Sequence, residues 1–116
     1  KEIAKRYIKI VKINKKINFL KFNKNDSYFV FQILLKNKFY KFSLMKQFKK
    51  FGIGVSVHYG TPLPLMTYYK KKYDIKKMEF INSKNYGDRV LSLPVYPKLK
   101  NKELDHICTF INKHIN

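Results

Sequence analysis

Extended backbone covered on both of its faces is the arrangement written most strongly into this sequence. Between Tyr28 and Leu35, one side of the chain carries Phe29, Phe31, Ile33 and Leu35, and the other Tyr28, Val30, Gln32 and Leu34. A strand open to water on one side alternates apolar with polar residues. This one is apolar on the first side and nearly so on the second, so it needs cover on both. Downstream, Leu44, Phe48 and Phe51 recur at helical spacing behind Ser43, a suitable N-cap. Gly52 then stands where a left-handed residue ends such a helix. Ile53 to Tyr59 alternates again, with Ile53, Val55 and Val57 opposed to Gly54, Ser56 and His58. The expected unit is strand, helix, strand. It belongs to the α/β (α+β) class, with a short sheet of about three strands packed with helices.

Around this unit, Glu2 to Val11 reads as a helix with Ile3, Tyr7, Ile10 and Val11 on one face. Asn14 to Asn25 is rich in Lys and Asn and reads as loop, with Ile17, Phe19, Leu20 and Phe22 placed to pack locally. Pro62 and Pro64 set fixed bends between Gly60 and Leu65, and a short helix is expected over Met66 to Tyr73. Ile81 to Arg89 is polar and reads as a connection. Leu91 to Val95 is apolar but contains Pro94, which has no N–H for an interior ladder, so an edge strand or extended passage is expected. The clearest helix is the last, where Leu104, Ile107, Cys108, Ile111 and Ile115 keep the helical period after Lys100 or Asn101 as cap.

Composition bears on function chiefly through charge. The 116 residues make one domain or a piece of a larger one, and their net charge is +19. So large a balance draws attention to nucleic acid. However, the cations are almost all Lys, with Arg6 and Arg89 the only arginines, and they are spread along the chain. Arg is the residue suited to bidentate phosphate and guanine contacts. Asn, Ile, Tyr and Phe are plentiful while Ala4 is the only alanine, the skew that an AT-rich coding sequence produces. A solvated basic surface is therefore favoured over a nucleic-acid role. The single cysteine, Cys108, has no intramolecular partner, which suits a reducing cytoplasm, and it lies on the apolar stripe of the last helix. His58, His106 and His114 stand in no metal-binding spacing, so no metal is expected. The longest apolar stretch, Phe29 to Leu35, is too short for a bilayer, and no secretory leader is expected at the basic start. The opening KEIAKRY reads as a helix interior, so the native start is expected upstream.

Three blocks, in order and at matching spacing, carry a family resemblance. KEIAKRY (Lys1 to Tyr7) resembles a helix leading from a large domain into a small one. GIGVSVHYGTPLPLMTYY (Gly52 to Tyr69) is similar to a "GI…HY…P" segment followed by a tyrosine-bearing helix. GDRVLSLPVYPKL (Gly87 to Leu99) is similar to an LSLP-x-x-P-x-L signature before a final helix. Together the blocks resemble the C-terminal portion of the DegT/StrS family of pyridoxal-phosphate-dependent sugar aminotransferases.

That resemblance implies the small C-terminal domain of a type I aminotransferase fold over residues 1–116, with residues 1–12 as the connecting helix. The implied activity is transfer of an amino group, from glutamate, to a keto sugar carried on a nucleotide. It implies pyridoxal phosphate as cofactor, held by a large domain outside this chain, together with a homodimer. No catalytic or Schiff-base lysine is implied here, and the segment alone is expected to be inactive. The implied substrate-facing residues are His58, Tyr59, Pro62 and Tyr68. An imidazole and a phenol at a cleft rim suit a sugar hydroxyl or phosphate. Pro62 shapes the loop, and Tyr68 competes with a plain packing role.

The sequence also departs from the family pattern. Pro64 replaces a histidine, Lys41 replaces the arginine before the Leu44–Phe51 helix, and Ile81 to Lys84 replace a Pro-x-Ala-Glu pattern. Sugar identity is therefore left open. The competing readings are a non-catalytic or regulatory relative, a small basic nucleic-acid-binding domain, and a truncated gene product. Cut from a partner domain, the chain is expected to expose Phe29, Phe31 and Ile33 and to be marginally stable or to aggregate.

Overall fold

The computed structural model describes residues 1–11, 14–19, 21 and 23–115. Helix α1 (Glu2–Val11) leads to strand β1 (Ile17–Phe19) and strand β2 (Phe31–Leu35). Helix α2 (Lys41–Lys50) and the short α3 (Thr67–Tyr73) follow. Helix α4 (Ile81–Arg89) then runs directly into strand β3 (Val90–Leu93), and α5 (Asn101–His114) closes the chain. The strands form one antiparallel sheet in the order β1-β2-β3. Helices with about three strands is the architecture expected from the sequence.

Register sorts the sheet into two faces. Phe19 and Leu91 lie opposite Ile33, Ile17 opposite Leu35, and Leu93 opposite Phe31. Side chains of directly opposed residues share a face, so these residues form one apolar surface. Tyr7 of α1 stacks on Phe31 at 4.9 Å and donates its hydroxyl to the Pro94 carbonyl at 2.9 Å. α5 packs beside α1 through the stripe read from the sequence, and Leu104, Ile107, Cys108, Ile111 and Ile115 are all buried. Phe48 of α2 meets Phe110 of α5 at 4.4 Å. Phe31 and Ile33, expected to be exposed in the isolated chain, are thus covered by its own helices, whereas Phe29 is 81% exposed.

Several boundaries differ from expectation, each for a local reason. The strand from Tyr28 begins only at Phe31. Tyr28 turns at φ 54° and folds its hydroxyl back onto the Asn23 backbone. Helix α2 starts at Lys41, so Ser43 is inside it; its hydroxyl donates to the Tyr40 carbonyl instead of capping. At the other end, Gly52 takes φ 72° and closes a Schellman pair, with Gly52 N–H on Lys49 O and Ile53 N–H on Phe48 O. The alternating Ile53–Tyr59 segment meets β3 at one residue pair only, Ser56 with Ser92. β3 stands last in the sheet order, as its proline suggested. It stops at Leu93, however, and the Ser56 pair closes off part of its outer edge.

The polar stretch Ile81–Arg89, read as a connection, is helix α4. It lacks an apolar stripe because its buried contact runs through Gly87. Of the four residues placed to pack near the start, Ile17 is buried and Phe19 half-buried, while Leu20 and Phe22 lie outside the described residues. Among the described residues, no helix is long and apolar enough to cross a membrane.

Cys108 is buried on α5, and burial pushes its thiol up to about 11. The thiolate is the reactive form, so it is scarce at pH 8, roughly one part in a thousand. Iodoacetamide should label Cys108 in denaturant and leave it unmodified under native conditions at pH 8. Rapid native labelling would show that α5 is not packed as described.

Candidate functional site

The second face of the sheet carries polar groups where a buried sheet would ordinarily be apolar. Gln32 of β2 lies opposite Ser92 of β3, and Ser92 pairs in turn with Ser56. The three side chains therefore line up across neighbouring segments. A buried polar side chain needs partners, and these converge on His58. The His58 ring places Nδ1 2.9 Å from the Ser92 hydroxyl and 3.3 Å from that of Ser56. Gln32 donates its amide to the His58 carbonyl and accepts from the Tyr86 hydroxyl of α4 at 2.8 Å. Burial raises the Tyr86 phenol above its ordinary value, so it remains a neutral donor.

The result is an imidazole fixed through one nitrogen. Nδ1 is held by two hydroxyls, and Nε2 makes no hydrogen bond among the described residues. Next in sequence, Tyr59 is 74% exposed and stands edge-on to His58, ring centres 5.7 Å apart. Neither residue is sealed in the core. An imidazole edge and a phenol are thereby presented together on a rigid base, a pairing able to donate to and accept from hydroxyl or phosphate oxygens.

A second set of contacts fixes the turn from below. An ideal Cβ on Gly87 would lie 2.2 Å from the Gly60 oxygen, so only glycine lets α4 approach the turn backbone this closely. The Gly87 carbonyl accepts from the Lys41 ammonium at 2.6 Å. Lys41 is itself buried, which lowers its pKa, while Asp88 opposes that shift. Asp88 is ion-paired with Lys84 at 2.6 Å, and that hydrogen bond holds its carboxyl below the usual carboxylate range. The turn is thus supported by residues of α2, α4, β2 and β3.

The other two residues named from the sequence stand apart. Pro62 is half-buried and begins the turn at Leu63–Leu65, accepting from Leu65 N–H at 2.9 Å. Tyr68 is 63% exposed on α3 and packs edge-on against Tyr69, with the Lys72 ammonium 3.4 Å from its hydroxyl. Among the described residues, no hydrogen bond or ring contact joins Tyr68 to His58 or Tyr59. Sequence reasoning passed over Gln32, Ser56, Ser92, Tyr86 and Gly87 as supports. The available signal was polarity within buried strands, namely Gln32 interrupting the Phe29–Leu35 run and Ser92 within LSLP.

Comparison with known proteins agrees with this architecture. The family model described as "DegT/DnrJ/EryC1/StrS aminotransferase family" matches residues 1–112. The spore coat polysaccharide biosynthesis protein SpsC of Bacillus subtilis is 38% identical over 58 residues, covering 50% of this chain and 15% of that protein. Helicobacter pylori PseC, an aminotransferase involved in the biosynthesis of pseudoaminic acid, superposes with a TM-score of 0.86 at 23% identity. That match covers 98% of this chain and 31% of PseC. A Brucella abortus DegT DnrJ EryC1 StrS aminotransferase superposes with a TM-score of 0.82 at 26% identity, covering 99% of this chain and 30% of that one. This chain therefore spans less than a third of the length of each of these relatives. Its three blocks, its fold and the match over nearly all its residues lead to one conclusion: the chain belongs to the DegT/DnrJ/EryC1/StrS aminotransferase family.

Proposed function

We propose that this chain is the substrate-facing small domain of an enzyme that transfers an amino group, with glutamate as donor, to a keto sugar carried on a nucleotide. The carrying observation is the His58–Tyr59 rim, with Nδ1 tied to Ser92 and Ser56 and Nε2 left to address a ligand. Sugar hydroxyls and phosphate oxygens are the complementary groups. The family also calls for pyridoxal phosphate, and the described residues of this chain do not form a holder for it. A cofactor-bearing lysine must offer a free amine in a sheltered place. The buried lysine among the described residues is Lys41, and its ammonium is occupied by the Gly87 carbonyl. On this reading the cofactor is held by another part of the enzyme, and residues 1–116 serve as its C-terminal domain, with α1 as the connecting helix. A cytoplasmic homodimer completes the proposal, the unpaired Cys108 thiol suiting a reducing compartment.

The test uses the full-length protein and a panel of UDP- and dTDP-linked keto sugars, with 2-oxoglutarate release from glutamate as readout. His58→Ala should raise the KM for the sugar about tenfold, the effect of losing one hydrogen bond of about 1.4 kcal/mol. The half-reaction with glutamate alone should keep its rate. Equal damage to both halves, or to neither, would remove His58 from the sugar site. Residues 1–116 expressed alone should show no transfer.

A further inference from the structure

Burying a lysine is costly, and an apolar side chain of similar length could fill the same volume without that cost. Lys41 is nonetheless only 6% exposed at the first position of α2. Its ammonium donates to Gly87 O at 2.6 Å. That carbonyl is one of the last four of α4, which lack partners within the helix and lie at the negative end of its dipole. Gly87 is also the residue whose Cα position abuts the Tyr59 and Gly60 backbone, with no space for a Cβ. A cation, a helix end and the turn bearing His58 are therefore in line.

We propose that Lys41 is a positioning residue, whose ammonium holds the last turn of α4 against the Tyr59–Gly60 backbone and so sets the height of the His58–Tyr59 rim. This rests on the reading of that rim as sugar-facing. The charged groups around Lys41 leave the Gly87 bond as its directional tie: Asp88 of α4 is engaged by Lys84, and Lys38 of the preceding turn carries the same sign as Lys41. A groove of about 440 Å³ lined by Lys41, Phe39, Phe42 and Thr61 lies alongside. The larger guanidinium of an arginine therefore has room to reach the same carbonyl.

In the full-length protein, Lys41→Met removes the donor and keeps the stem. Hydrogen exchange at the Val90 amide, which closes the last turn of α4 on the Tyr86 carbonyl, should quicken at least about tenfold, and the KM for a UDP-linked keto sugar should rise about tenfold. The glutamate half-reaction should be unchanged. Lys41→Arg should restore both exchange and KM, which replacement of mere packing volume would not do. If Lys41→Met does not fold, Lys41→Leu, which also lacks a donor, carries the same expectation. Unchanged exchange in the neutral variants, or failure of arginine to restore it, overturns the positioning role. Faster exchange with an unchanged KM upholds that role and instead sinks the sugar-facing reading of the rim.

Discussion

Gly87→Ala is expected to cost about a hundredfold in kcat/KM toward the proposed keto-sugar substrate, the order of loss that follows a 1 Å misplacement of binding groups. The ideal Cβ would sit 2.2 Å from the Gly60 oxygen, 2.9 Å from the Gly60 carbonyl carbon and 3.2 Å from the Tyr59 oxygen. All three are backbone atoms, so no rotamer change relieves the overlap. Either α4 withdraws from the sheet or the His58–Gly60 turn moves. Overpacking of this kind typically costs about 1–3 kcal/mol. Helix propensity acts the other way, since alanine is favoured over glycine inside a helix by about 1 kcal/mol. A net loss of stability would therefore report the contact and not the helix. Steady-state kinetics with the keto sugar, together with a thermal melt, measure both effects in full-length protein. Transfer at the wild-type rate would mean that the turn does not bear on the substrate.

The largest loss of stability is expected from Tyr7→Ala, about 3–5 kcal/mol by analogy with other large aromatic deletions in cores. Tyr7 is fully buried, stacks on Phe31, and is the donor to the Pro94 carbonyl just beyond β3. Burial pushes its phenol far above the ordinary value, so it stays a neutral donor at any working pH. The side chain thus joins α1, β2 and the end of β3. Tyr7→Phe keeps the ring and removes only the donor, so it should cost less, about 1–3 kcal/mol for a carbonyl left without its partner. Against a total stability of about 5–15 kcal/mol, the alanine variant should lie near the unfolding threshold. Urea titration of the two variants separates ring from hydroxyl. Equal midpoints would show that the stacking contributes nothing.

The elements that could be read from the chain are those whose burial follows a local period. α1 and α5 present stripes at helical spacing, and residues such as Tyr7, Val11, Leu104 and Ile111 are buried as that spacing predicts. The end of α2 was equally legible, because a left-handed residue was needed there and Gly52 supplies it. Helix α4 was not legible. Its face against the turn is a single glycine, and a missing side chain leaves no hydrophobic signature.

The sequence offers His58 and Tyr59 as candidates, but not what holds them. Gln32, Ser92 and Tyr86 come from separate segments: Gln32 lies 26 residues from His58, Ser92 lies 34 residues from it, and Tyr86 lies 54 residues from Gln32. Which of them meet is set by strand register. A slip of one residue would turn Gln32 and Ser92 toward α1 and leave the imidazole unsupported. Periodicity along the chain decides which face of each segment is buried; only the pairing of segments in space decides which polar groups share that face and which nitrogen of His58 they hold.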